Sequence, residues 1–423
     1  MSVSSVSAKS ALVAPAVLLV LALGGVVWAL PQGLPPWRSL AIVSAWAGTG
    51  LLVGSLVLMI RAPRLAGLFG GLDEQYRWHH RGGALAYVLL LVHPLALAVN
   101  AWSESPIRAW QVLAPWAQGW PVWLGWVGLV LLMAGLVTTF SVKLPYRRWR
   151  AFHYSLGAGV ILGLVHVWAL LGELGPLWVF LLLALAALGW RLGGVDLGIA
   201  AHPYRVRSVT PRAQRMIEAV LEPCGARMVV APGQFVFAAF GNGPHFHGCG
   251  EFHPFTVSAI GADGSLGVGI KALGPCSQHI QALEPGVLVR LEGPFGRFLA
   301  DRHSAPQLWI AGGIGITPFI ASLRRERLVH PLTLIYLYRS TQDAAYLDEL
   351  HALAAAEPLL ELITQAAAGP PADLEAVLGA VSQVKERIAQ LCGPVPLIDA
   401  ARAALERLGL PAASIHFERF DFR

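Results

Sequence analysis

Between residues 11 and 191 the chain alternates long apolar runs with short polar breaks. The runs lie at roughly 11–30, 40–60, 79–99, 120–140, 152–171 and 176–191, and most are long enough to cross hydrocarbon as a helix. Helix stoppers mark the breaks: Pro31, Pro35 and Pro36 after the first run, Pro106, Pro115 and Pro121 after the third, and Gly172, Gly175 and Pro176 before the last. The first run exceeds a usual signal-peptide core and lacks a small-x-small cleavage site, so it is expected to be a membrane span. Six spans are therefore expected. Near residue 200 the pattern changes to short β-like runs punctuated by Gly and Pro, starting with His202-Pro203-Tyr204-Arg205-Val206. From residue 308 strands and helices should alternate. Leu308–Ala311 and Leu332–Tyr338 read as strands, and Thr317–Leu328 and Ala344–Ala356 as helices, which predicts a parallel sheet with covering helices.

Composition supports a membrane protein. Of 423 residues 55% are hydrophobic and only 13% charged, and the mean hydropathy is +0.58. Fourteen of the fifteen tryptophans precede residue 191, as belts at bilayer interfaces would require. The net charge of +6 does not point to nucleic acid, because the arginines cluster beside the apolar runs. Arg61, Arg64, Arg77 and Arg81 lie between the second and third runs, and Lys143, Arg147, Arg148 and Arg150 between the fourth and fifth. The intervening loops carry only Arg38 and Arg108. Basic loops stay in the cytoplasm, so both termini are expected there, in a bacterial-type inner membrane. Cys224, Cys249, Cys276 and Cys392 show no spacing typical of a disulfide framework or a zinc site, which fits a reducing compartment.

The first 200 residues hold five histidines, and their spacing changes the picture. His79 and His93 are 14 residues apart, or ~21 Å along a helix, and His153 and His166 are 13 apart, or ~20 Å. Two neighbouring helices so marked offer imidazoles at two matching depths. Ionisable groups inside a bilayer are uncommon and usually functional. The arrangement suits two haems, one held by His79 and His153 and the other by His93 and His166, with both axial positions filled for electron transfer. His80 competes with His79. Helix-end histidines or a proton path are the plainer alternatives.

The second half carries the other chemistry. His253-Pro254-Phe255-Thr256-Val257-Ser258 places a ring and a hydroxyl on a strand, suitable for packing and hydrogen-bonding a flat, polar-edged ring. Lys271-Ala272-Leu273-Gly274-Pro275-Cys276-Ser277 lets backbone N–H groups approach a phosphate at a helix start. Ala311-Gly312-Gly313-Ile314-Gly315-Ile316-Thr317-Pro318 joins a strand to a helix without the usual GxGxxG spacing. Arg339 follows the next strand and suits a 2′-phosphate. Leu391-Cys392-Gly393-Pro394 and the ending Phe417-Glu418-Arg419-Phe420-Asp421-Phe422-Arg423 complete the set.

Taken in this order, the motifs resemble the ferric reductase and NADPH oxidase superfamily over nearly the whole chain. The resemblance implies a six-helix di-haem membrane domain over 1–200, an FAD-binding β-barrel over 201–300 and an NAD(P)-binding α/β domain over 301–423. By the same resemblance, His253, Pro254, Phe255, Thr256, Val257 and Ser258 lie along FAD, Lys271, Gly274 and Ser277 meet its pyrophosphate, and Phe420 covers the flavin. It implies that Gly312, Gly313, Gly315, Thr317, Pro318, Arg339, Gly393 and Pro394 hold NADPH, with Cys392 beside the nicotinamide where hydride leaves. Gly293-Pro294-Phe295-Gly296 matches the turn closing the barrel. The loop Pro244–Glu251, rich in histidine and cysteine, exceeds the family pattern and is expected to be a solvated loop, although its side chains could bind a metal. The implied activity is electron transfer from NADPH through FAD and two b-type haems to a ferric chelate or oxygen, both equally compatible. The other readings are delivery to a periplasmic redox partner, a membrane-anchored NAD(P)H–flavin reductase without haem, and a non-catalytic scaffold.

Overall fold

A computed structural model describes residues 12–29, 32–140, 144–172, 175, 177–367 and 373–419. Pro31, Lys143, Pro176 and Phe420 lie outside the described residues. The chain divides into two compact units, residues 6–199 and residues 200–423.

The first unit is helical: α1 (Val13–Trp28), α2 (Pro36–Val57), α3 (Leu72–Trp102), α4 (Trp120–Phe140), α5 (Tyr146–Leu171) and α6 (Leu177–Gly189). Among the described residues, five segments are long and apolar enough to cross a membrane, the last running from Leu177 to Asp196 through a π-helical turn at Trp190–Asp196. The first expected span forms a helix of 16 described residues, or ~24 Å at helical rise. Local chemistry sets the ends. Proline occupies the first turn of α2, and α5 stops at Gly172 in the left-handed region, φ 68°. Glycine brings the helices together: a side chain at Gly50 would stand 2.1 Å from the Leu21 carbonyl on α1. A Cβ at Gly128 on α4 would stand 3.1 Å from the Gly159 carbonyl on α5, and the reverse contact would be 3.0 Å. Such small-residue contacts replace the hydrophobic drive that lipid cannot supply. Leu85, Val88, Leu95, Val127 and Val130 point outward, as a lipid-facing surface requires.

In the second unit, β1 (His202–Ala213), β2 (Met216–Pro223), β3 (Phe235–Phe240), β4 (His253–Ile260), β5 (Leu266–Lys271) and β6 (Leu288–Phe295) close an antiparallel barrel in the order β1-β2-β5-β4-β3-β6. Its interior holds Tyr204, Leu221, Phe240, Val257 and Leu291. A parallel sheet follows, built from β7 (Gln307–Gly312), β8 (Leu332–Tyr338), β9 (Leu360–Ala366), β10 (Ile388–Gly393) and β11 (Ile415–Arg419) in the order β11-β10-β7-β8-β9. Helices α7 (Thr317–Arg325), α8 (Leu347–Ala356) and α9 (Val395–Arg407) accompany it. Helix α7 stops at Arg325, three residues before the expected Leu328, because Glu326 already has extended backbone. Helix α8 starts at Leu347, three residues after the expected Ala344, because Thr341–Asp343 forms a separate 3₁₀ turn. The strand order reverses between β7 and β10, which opens a crevice at their carboxyl ends.

Candidate functional site

In the helical unit, His79 and His93 lie on α3 and His153 and His166 on α5. The imidazoles of His79 and His153 face each other with ring centroids 6.2 Å apart. Each ring is tethered through Nδ1 to a neighbouring helix. His79 Nδ1 donates to the Ser55 carbonyl at 2.9 Å and His93 Nδ1 to the Ala41 carbonyl at 2.9 Å, both on α2. His166 Nδ1 donates to the Pro121 carbonyl at 2.7 Å on α4. His153 Nδ1 lies 3.4 Å from Thr139 Oγ1, also on α4, whose own hydroxyl donates to the Gly135 carbonyl. Trp149 stacks on the His153 ring at 4.8 Å. A proton placed on Nδ1 leaves the Nε2 lone pair free, the usual state of a metal-bound imidazole with its outer hydrogen bond satisfied. Two imidazoles on opposite sides of one metal, each nitrogen about 2 Å from it, place their centroids roughly 6 Å apart. The His79–His153 pair has that separation. The residues therefore fit a haem.

His80 is exposed, whereas His79 is half-buried. Both line a cavity with His153, Tyr87, Tyr154 and Arg191, beside the small residues Gly83 and Gly157.

In the second unit, the strand His253–Ile260 divides its motif between two faces. Val257 is fully buried in the barrel core, and Phe255 packs against that core with its ring edge-on to Phe240 at 6.1 Å. The ring and the hydroxyl of Thr256 therefore fall on opposite sides of the strand, since side chains alternate. Val257 points away from any ligand outside the barrel. Ser258 is also redirected: it is fully buried, and its hydroxyl donates to Glu218 at 2.5 Å. His253 and Pro254 stay partly exposed at the strand's start. Ser277 Oγ accepts from the Leu273 and Gly274 N–H groups, both at 2.9 Å, and so shapes the turn from within.

Glu218 belongs to a buried network that the sequence did not reveal. Arg324 on α7 contacts Glu218 at 2.7 Å, Glu349 on α8 at 2.6 Å and the Ser258 carbonyl at 3.0 Å. Arg212 joins Glu218 at 2.6 Å. Arg212 and Arg324 both lie over the Tyr346 ring. Burial works against the Glu218 charge, but hydrogen bonds from Arg324 and Ser258 outweigh it and hold its pKa below the usual carboxylate range. Burial also opposes the Arg324 charge, and its bonds to Glu349 and Glu218 raise its pKa regardless. The network clamps the barrel to the parallel sheet.

The crevice between β7 and β10 gathers the remaining motif residues. A Cβ at Gly315 would stand 2.1 Å from the Cys392 carbonyl, and one at Gly312 would stand 2.8 Å from Pro394. Two turns distant in sequence are thus in backbone contact. Thr317 Oγ1 donates to the Ile314 carbonyl at 2.9 Å and Pro318 opens α7, so both shape the helix start. Lys271 Nζ lies 3.9 Å from Asp343 and 3.7 Å from the place of a Cβ on Gly313. Its ammonium therefore stands beside Gly313 in the Gly312–Thr317 turn. Arg339 is exposed just beyond β8. Cys392 is 1% exposed, and burial, then the nearby Glu418 charge, push its thiol well above the ordinary value. The strand register places Glu418 beside Cys392. Glu418 was missed because the signal lies in the pairing of β10 with β11, not in either segment alone.

The sequence also gives no sign that Cys249 and Cys276 pair. The structure joins them across 27 residues, with Cα atoms 6.3 Å apart. The expectation of an unpaired cysteine set is corrected, because folding closes a distance that spacing does not show.

Comparison with known proteins places these features in context. Residues 44–164 match the family described as ferric reductase like transmembrane component. That span includes His79, His93 and His153 and ends two residues before His166. A phenoxybenzoate dioxygenase subunit beta from Ectopseudomonas oleovorans is 38% identical over 32% of this chain and 40% of its own. Ferredoxin--NADP reductase B from Sorangium cellulosum (strain So ce56) is 32% identical over 35% of this chain and 68% of its own. Phthalate dioxygenase reductase is a similar solved structure, with a TM-score of 0.45 and 22% identity over 53% of this chain and 70% of that one. Against the first five curated relatives, the chain spans between 40% and 65% of their length.

Proposed function

The chain belongs to the ferric reductase and NADPH oxidase superfamily, in which a ferric-reductase-like transmembrane component is joined to a ferredoxin-reductase-like flavin and nicotinamide module, and from this we propose that it is an NAD(P)H-dependent oxidoreductase moving electrons across a membrane. In this reading residues 1–200 form the di-haem membrane domain, 201–300 the FAD barrel and 301–423 the NADPH domain. Electrons enter from NADPH on the cytoplasmic side, where both termini lie, and leave on the far side of a bacterial-type inner membrane. The acceptor is a ferric chelate or oxygen. The basic residues beside His79 and His153, including Arg81 and Arg150, support that orientation. The observation that carries the reading is the facing His79–His153 pair with Nδ1 of each ring turned to a partner helix.

The chain's residues divide the work. The turn Gly312–Thr317 at the start of α7 offers backbone N–H groups and a helix dipole to the nucleotide pyrophosphate, and Lys271 adds a cation above it. Arg339 takes the 2′-phosphate and so favours NADPH over NADH. Cys392, with Glu418 beside it, packs against the nicotinamide and keeps water from the hydride. His253, Pro254 and Thr256 border the flavin, and Phe255, turned to the barrel core, backs them from the other face of the strand. His79 with His153, and His93 with His166, hold two haems at different depths. When bound, the flavin converts a two-electron hydride into single electrons and haem iron accepts one at a time. The Nδ1 tethers fix each imidazole so that little reorganisation accompanies a change in iron charge.

A reduced-minus-oxidised absorption spectrum of the full-length protein in detergent, reduced with NADPH, tests the reading. A b-type haem signal with two haems per chain is expected. A preparation supplied with ample porphyrin that shows flavin absorbance alone overturns the haem assignment and leaves a membrane-anchored flavin reductase.

A further inference from the structure

Cys249 and Cys276 connect two segments assigned above to the flavin. Cys249 lies in the loop before β4, four residues ahead of His253. Cys276 follows Pro275 in the short helix Pro275–His279, which closes the Lys271–Ser277 turn. Other contacts dock the same loop on the same helix. His279 Nε2 meets the His247 carbonyl, and the Phe246 ring stacks on His279 at 5.3 Å. The cysteine pair is thus the covalent member of a set of links that holds the start of β4 against the phosphate turn. His253 Nε2 lies 3.6 Å from Cys249 Sγ, and the Glu251 carboxylate lies 3.8 Å from the same nitrogen. An imidazole so placed can take the thiol proton, the arrangement that makes a cysteine reactive. Both cysteines and His253 are half-buried, so a small disulfide can reach them.

We propose that Cys249 and Cys276 form a reversible thiol–disulfide couple that sets how firmly the protein retains its flavin. The inference rests on the reading that this half of the chain binds FAD and faces the cytoplasm, where disulfides that form are mostly transient or sensing. The co-reactant is a low-molecular-weight disulfide such as glutathione disulfide. The Cys249 thiolate attacks one of its sulfurs, forming a mixed disulfide and releasing one glutathione thiolate. The Cys276 thiolate then attacks Cys249 Sγ, forming the internal disulfide and releasing the second. The protein dithiol loses two electrons and two protons, and glutathione disulfide becomes two glutathione thiols. Closure pins the loop on the phosphate turn and preorganises the site. Opening leaves only the non-covalent links.

The experiment uses the full-length protein in detergent, loaded with FAD and equilibrated at graded ratios of reduced to oxidised glutathione. Thiols are trapped by alkylation, the Cys249–Cys276 linkage is read by peptide mass, and FAD release is followed by fluorescence after dilution. The linked peptide should appear and disappear with the ratio, with two fewer alkylated thiols in the oxidised form. FAD release should slow by roughly three- to tenfold on oxidation, as preorganisation predicts. Cys249→Ser and Cys276→Ser should release FAD at the reduced rate whatever the ratio. The wild-type titration alone decides the matter if a variant does not fold. The couple is overturned by absence of the linked peptide at every ratio, by unchanged FAD release when the link forms, or by one tightly held zinc per chain protecting both thiols. A protein that keeps haem and NADPH binding but takes no FAD in either state overturns the flavin reading itself, and the couple with it.

Discussion

His79 and His153, on two helices 74 residues apart in the chain, bring their rings to 6.2 Å and turn their Nδ1 atoms outward to α2 and α4. The scaffold behind them has a simple logic. Helices α2 and α3 run antiparallel, so Ser55 meets His79 at one level and Ala41 meets His93 at the other. Helices α4 and α5 repeat the plan, with Thr139 at His153 and Pro121 at His166. Three of the four tethers are backbone carbonyls, which point mutation of the tethering residue leaves in place.

Replacing His93 or His166 with leucine should remove one of two haems and spare the inner one. Haem-to-protein ratio should fall from two to one, while NADPH-driven flavin reduction, followed by the bleaching of flavin absorbance, stays close to the wild-type rate. A variant that retains both haems contradicts the pairing.

Gly315→Ala should abolish productive nucleotide binding. Its Cβ would sit 2.1 Å from the Cys392 carbonyl, and backbone on both sides leaves neither turn free to yield. Flavin content should be preserved, because the barrel is untouched. Nucleotide affinity near that of the wild type, measured by calorimetry, would show that the two turns are not the binding crevice.

Arg339→Ala should raise the KM for NADPH by roughly 10- to 100-fold, the worth of one charge-assisted phosphate contact of about 1.5–3 kcal/mol. The KM for NADH should change little, since it lacks the 2′-phosphate. Equal losses for the two nucleotides would remove Arg339 from the phosphate site.

Glu218→Ala should destabilise the second unit by about 3–5 kcal/mol, the usual cost of breaking a buried ion pair. Glu218 is 2% exposed, and its loss leaves Arg324 and Arg212 short of a counter-charge. Because the folded-state pKa of Glu218 lies below the unfolded value, its contribution is complete above the unfolded value. It is lost as pH falls through the folded one. Thermal melts monitored by flavin release should therefore show an acid-side decline below about pH 4 that is shallower in Glu218→Gln. An unchanged acid limb in that variant would sever the link between this carboxylate and acid stability.

Local pattern made much of the molecule readable. Apolar run length identifies helices because every span must satisfy its own backbone in hydrocarbon. The 14- and 13-residue histidine spacings translate into depth because helical rise is constant. The glycine turn before Thr317 was recognisable because a strand, a tight turn and a helix start follow one another in sequence. For His253–Ser258 the resemblance laid all six residues along FAD, whereas alternation along the folded strand turns Phe255 and Val257 to the barrel core.

Which groups meet across the chain depended on folding. The Nδ1 tethers, the Glu218–Arg324–Glu349 network that claims Ser258, the register that sets Glu418 beside Cys392, and the Cys249–Cys276 link all join residues from separate elements. Short-range propensity carries no information about such partners, because it describes the conformation of one segment. Their choice is made when packed helices and paired strands leave a buried polar group only the few neighbours that folding brings within reach.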